Sequence, residues 1–111
     1  LEEDGMQAVN PETECLRSTL RGDPDLEALV GMFVDEMPDR IAAIRRSEET
    51  RDRDGLRRLA HQIKGSAGSH GFQPISDCAA RLEDSIRDGQ PEERIHQEVL
   101  ALLDICAIAR L

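Results

Sequence analysis

His61 and Lys64 stand three residues apart in the stretch LAHQIKGSAGSHGF, residues 59–72, and glycines follow at 65, 68 and 71. An imidazole is a nucleophile near neutral pH, and a phosphoryl group carried on its nitrogen remains transferable. Lysine and arginine supply the positive charge that offsets such a group and holds its oxygens. Arg57, four residues before His61, and Lys64, three after it, lie on adjoining helical turns and are placed to do this. Nothing nearby performs phosphate chemistry alone. No second carboxylate or nucleophile pattern beside His61 points to hydrolysis, and no glycine-rich nucleotide loop points to a self-contained kinase.

These residues need a helix to position them. On a projection of about 100° per residue with Leu56 at the origin, Leu59, Ala60, Ile63 and Ala67 cluster within about 60° of it and define a core face. His61 falls at about 140°, Gly65 at about 180° and Gly68 at about 120°, so all three are expected on the outside. A glycine in a helix interior costs about 1 kcal/mol relative to alanine. On an outward face that cost has no packing explanation, whereas bare backbone lets another macromolecule approach the imidazole. Ser66, at about −80°, reads as a small packing residue, and His70, at about −40°, as a partly buried structural histidine.

The surrounding chain supplies four long helices. Asp23 and Pro24 form a start signal for a helix whose stripe runs Leu26, Leu29, Val30, Phe33, Val34, Met37, Ile41 and Ile44, kinked or divided at Pro38. The helix bearing His61 is expected from about Asp52 through Gly68, with Gly71 as a stop. A third begins at Pro74 and carries Ile75, Cys78, Ala79, Leu82 and Ile86. Gly89 ends it, and a last helix opens at Pro91, Glu92 and Glu93 and carries Ile95, Val99, Leu102, Leu103 and Cys106. Short connections predict an all-α, up-down-up-down antiparallel four-helix bundle. A short additional N-terminal helix over 11–20 is expected as a lid. Residues 1–10 read as a flexible tail or linker remnant, leaving 11–111 as the bundle domain.

Bulk properties narrow the partners. The 111 residues suit one domain. Fourteen basic against 23 acidic residues give a net charge of −9, and there is no Trp or Tyr, so nucleic acid and anionic lipid are not expected partners. No apolar run is long enough to span a membrane. Cys15, Cys78 and Cys106 are widely spaced among apolar neighbours, which suggests reduced thiols and a cytoplasmic setting. The opening Leu1, in place of Met, suggests processing or, in preference, a domain from a longer protein.

The stretch AHQIKGSAGSHGF resembles the signature of histidine-containing phosphotransfer (HPt) domains: His, any residue, a hydrophobic residue, then Lys-Gly-Ser/Ala-Ala. The match uses His61, Ile63, Lys64, Gly65, Ser66 and Ala67, with Gly71 at the later glycine. GDPDLEALVGMFVDEMPDRIAAI and ISDCAARLEDSI fall in the family's order, so the resemblance covers about residues 12–105. It implies a four-helix bundle whose exposed His61 accepts a phosphoryl group from one response-regulator receiver domain and passes it to another. It further implies that Lys64 supports the group and Gly65 leaves room for the receiver, with Gly68 assigned to the same docking face. The magnesium and the catalytic aspartates belong to the receiver, so no cofactor or metal is expected here. The domain would be monomeric in isolation, a phosphotransfer intermediate within a hybrid sensor kinase that is itself membrane-anchored or not. At 70 the family more often has an apolar residue than histidine.

Three alternatives compete with that expectation. The phosphoacceptor domain of a chemotaxis-type kinase shares the resemblance and differs in its donor. A non-phosphorylated helical docking module would not require an exposed histidine beside Gly65. A di-iron bundle needs two Glu-x-x-His steps, and Glu93 to His96 is the single one in the chain.

Overall fold

The computed structural model describes residues 15–111. The acidic segment 1–10 and the first part of the expected lid helix, 11–14, lie outside the described residues. Five helices follow in chain order: α1 (Pro24–Asp35), α2 (Met37–Glu49), α3 (Arg53–Ser69), α4 (Gln73–Arg87) and α5 (Glu92–Ala107). Two short strands, β1 (Leu16–Arg17) and β2 (Ala109–Arg110), pair in parallel near the two ends of the described chain.

The expected lid helix is therefore corrected over 15–20. Leu16 donates its backbone N–H to Ile108 O and Thr19 donates to Gly71 O, while Ser18 Oγ donates to His70 O at 2.6 Å. These long-range bonds consume the groups that a local helix would have used, so tertiary partners override the weak local pattern. Ser18 is buried, and its segment straps the α3–α4 turn to the C-terminal strand. Gly71 makes the close approach possible: its φ is +82°, and a Cβ there would lie 2.4 Å from Ser18 Oγ.

The stretch from Asp23, expected to be kinked or divided at Pro38, with a bend favoured, is divided into two helices. Asp23 caps α1 by accepting from Asp25 N at 3.0 Å, with Pro24 in the first turn. Pro38 cannot donate to the carbonyl four residues back, and its ring would clash there, so α1 ends and α2 restarts at Glu36. The additional helix of this fold is thus α1, upstream of the other four.

Helix α2 packs on α3, α3 on α4, α4 on α5, and α5 returns to α2. Ile44, Leu56, Ile63, Ile75, Leu82 and Leu102 fill the space between them and are fully buried. Each such side chain contributes about 1.5–3 kcal/mol through removal from water. Helix α1 covers an end of the bundle through Val30 and Phe33, while Leu29, expected on its inner stripe, is exposed. The Phe33 ring stacks on His70 at 4.9 Å and on Phe72 at 5.4 Å. Cys78 and Cys106 are buried free thiols, and burial pushes the Cys106 thiol up to about 12. That thiol stays protonated and packs as a small hydrophobe.

Candidate functional site

Helix α3 begins at Asp52, whose Oδ1 accepts from Gly55 N at 2.9 Å, and buries Leu56, Ala60, Ile63 and Ala67. This inner face matches the expected one and turns His61 outward, its side chain 66% exposed. A shallow groove of about 370 Å³ opens beside the ring, lined by Arg57, Arg58, Gln62 and Glu83 as well as His61.

Glu83, on α4, is the site residue that the sequence reading missed. Its side chain is only 10% exposed, and both of its oxygens face α3. His61 Nδ1 lies 2.8 Å from Glu83 Oε2, and Lys64 Nζ lies 2.8 Å from Oε1. The ion pair with Lys64, foremost, and the bond with His61 outweigh the opposing effect of burial and hold the Glu83 carboxyl below its ordinary 4.5. An ionised carboxylate only accepts, so Nδ1 carries the hydrogen and donates. The lone pair of the neutral ring is therefore on Nε2, the nitrogen directed away from Glu83. A signal for Glu83 existed in the sequence: it stands one residue after Leu82 and four after Ala79, at the edge of the buried stripe of α4, where a carboxylate requires a partner.

The other expected site residues separate. Lys64 is half-buried and joined to His61 through Glu83. Arg57 is half-buried at the groove and has no ion pair among the described residues. Gly65 is exposed, and a Cβ built there would meet nothing within 4 Å. Gly68 departs from its expected outward place: it is half-buried, and a Cβ there would contact Ser76 Oγ of α4 at 3.5 Å. Ser76 Oγ also donates to Lys64 O at 2.7 Å, so this side of α3 is a seam with α4 built from small and polar groups. A projection that ranks faces by apolar content does not register such a seam. Ser66 is half-buried, as a packing residue should be, and its carbonyl accepts from His70 Nδ1 at 2.6 Å. His70 is accordingly a structural cap of α3, stacked on Phe33.

Among the described residues no three His, Cys, Asp or Glu side chains converge as a metal-binding group, and no helix is long and apolar enough to cross a membrane. What the geometry defines is a helical domain with an exposed imidazole, His61, anchored by a buried carboxylate on the neighbouring helix. The family model of the Hpt domain matches residues 28–109, and the chain belongs to that family. Its members carry out histidine phosphotransfer in phosphorelays and exchange phosphoryl groups with receiver domains. Comparison with curated proteins and with solved structures finds no significant match.

Proposed function

We propose that His61 is the phosphoryl acceptor of this domain and that the group is carried on Nε2. The observation that carries this reading is the 2.8 Å bond from His61 Nδ1 to a buried carboxylate on a ring that is otherwise open to solvent. The Nε2 lone pair attacks the phosphorus of a receiver's aspartyl phosphate, the nitrogen–phosphorus bond forms, and the aspartate leaves with the electron pair of the broken phosphorus–oxygen bond. The proton on Nδ1 stays shared with Glu83, which stabilises the positive charge that the ring acquires. Return of the group to a second receiver is the reverse of this step.

Arg57 and Lys64 are the cations assigned to the phosphoryl oxygens. Lys64 reaches them by turning from Glu83, and Arg57 from its place on the groove. Gly65 supplies the bare backbone over which the receiver docks; Gly68 contributes at the margin of that face, its main role being close contact with α4. Connections over 50–52, 70–72 and 88–91 are short enough that α2 to α5 run alternately up and down. We read the isolated domain as a cytoplasmic monomer that relays between receivers inside a larger signalling protein.

The test is incubation with a panel of receiver domains charged with labelled phosphate. Label should pass to wild type and be absent from His61→Gln, which stays folded because the ring is exposed. Binding of receivers without label on either protein would favour the docking module instead.

A further inference from the structure

We infer that His96 is a second phosphoryl-acceptor histidine, served by small phosphoramidate-type donors and not by a protein. His96 repeats the atomic arrangement of His61 on a different face of the bundle. Its Nδ1 lies 2.8 Å from Glu48 Oε2, its side chain is 59% exposed, and Glu48 is 17% exposed. The second oxygen of Glu48 holds a cation as well, with Arg53 Nη1 at 2.6 Å from Oε1. The two constellations, His61–Glu83–Lys64 and His96–Glu48–Arg53, thus share the same order of ring, carboxylate and cation, built on α3 and α4 in one case and on α5, α2 and α3 in the other.

The chemistry follows from that order. Glu48 is held below its ordinary 4.5, with hydrogen bonds from Arg53 and His96 outweighing the larger single effect of burial, so it accepts the Nδ1 hydrogen. The lone pair of His96 is then on Nε2. The ring borders a cleft of about 550 Å³ between α2 and α5, roomy enough for a small phosphoryl donor. Two features separate this site from His61. One turn beyond His61 stands Gly65 with open space around it, whereas one turn beyond His96 stands the side chain of Leu100, itself 47% exposed. The Leu100 side chain narrows the approach of a folded donor to His96, where bare backbone leaves the approach to His61 open. Glu49, Glu92 and Glu93 also line this cleft against Arg45, Arg51 and Arg53, the last two paired to Glu92, so an anionic donor is attracted less than at His61. Modification of His96 is accordingly the slower of the two.

In the step itself the Nε2 lone pair attacks phosphorus and a nitrogen–phosphorus bond forms. The bond from phosphorus to the donor's ammonium nitrogen breaks, and ammonia leaves with its electron pair and its own three hydrogens. The Nδ1 hydrogen remains on the ring, shared with Glu48, whose carboxylate offsets part of the positive charge gained.

The experiment is incubation of the wild-type protein with phosphoramidate at neutral pH, followed by intact-mass measurement and peptide mapping. Two phosphoryl groups are expected on wild type, one on His61→Gln, one on His96→Gln and none on the double variant. Glu48→Gln should slow the His96 event roughly tenfold, as a charge-assisted bond becomes a neutral one, and leave the His61 rate unchanged. Peptide mapping should leave His70 unmodified, since its ring is stacked on Phe33. A wild type that accepts a single group, lost entirely in His61→Gln, would overturn the inference while leaving the reading of His61 intact. So would a second group mapped to any residue other than 96. Label on His96 in a protein that labels at His61 neither with phosphoramidate nor with a charged receiver would have the opposite meaning, sustaining this site and removing the first.

Discussion

Glu83 decides which nitrogen of His61 is free, and it does so from another helix. Replacing it with glutamine keeps a hydrogen-bond acceptor of the same length but removes its charge, so transfer to His61 should slow roughly tenfold. Single-turnover rates with a charged receiver measure this. The same variant carries a pH signature. Because the fold depresses the Glu83 pKa below 4.5, the carboxylate stabilises the protein above that value and loses its contribution as pH falls through the lower folded value. The difference in Tm between wild type and Glu83→Gln is therefore greatest near neutral pH and shrinks on acidification below about pH 4.5. At this scale the sequence disclosed the histidine and its neighbouring cations, because they sit within one motif on one helix. It concealed Glu83, which lies 22 residues away and acquires its role only when α3 and α4 pack.

Among the helices, α3 and α4 share the most intimate contact, and their seam distinguishes the three glycines of the motif. Gly65 touches nothing, so Gly65→Ala should raise stability by about 1 kcal/mol through helix propensity alone. Gly65→Leu should likewise fold well yet reduce the rate of receiver transfer, because its side chain occupies the approach to the ring. Unfolding curves paired with transfer rates separate the two effects; a Leu variant that loses stability but transfers at the wild-type rate would refute the access role. Gly71→Ala is the contrast, losing more than about 1 kcal/mol because a positive φ and the Ser18 hydroxyl both oppose a side chain. The helices were legible in the sequence wherever an apolar stripe coincided with a cap: Asp23 and Pro24, Asp52, and Gly71 mark real boundaries. Pro38 marked the break without telling a bend from a division, since the missing donor is common to both. The outward assignment of Gly68 failed because its neighbour across the seam is Ser76, a contact that apolar periodicity does not encode.

Across the whole molecule, a chain of net charge −9 gathers Arg57, Arg58 and Lys64 around its exposed imidazole, with the rest of the bundle serving to hold that helix face in place. The bundle of α2 to α5 could be read from periodicity and short connections. The strap from Leu16 to Leu20 and its parallel pairing with the C-terminal strand could not, because their bonds join residues more than fifty positions apart and leave no local pattern. The account as a whole stands on the outward nitrogen of His61. The most direct measurement is nuclear magnetic resonance of the ¹⁵N-histidine-labelled protein after transfer from a phosphorylated receiver, reading the phosphorus coupling at each ring nitrogen. Coupling at Nε2 of His61, with Nδ1 still protonated, is the predicted result. Coupling at Nδ1, or a phosphoryl group delivered by the receiver to any other residue, would contradict it.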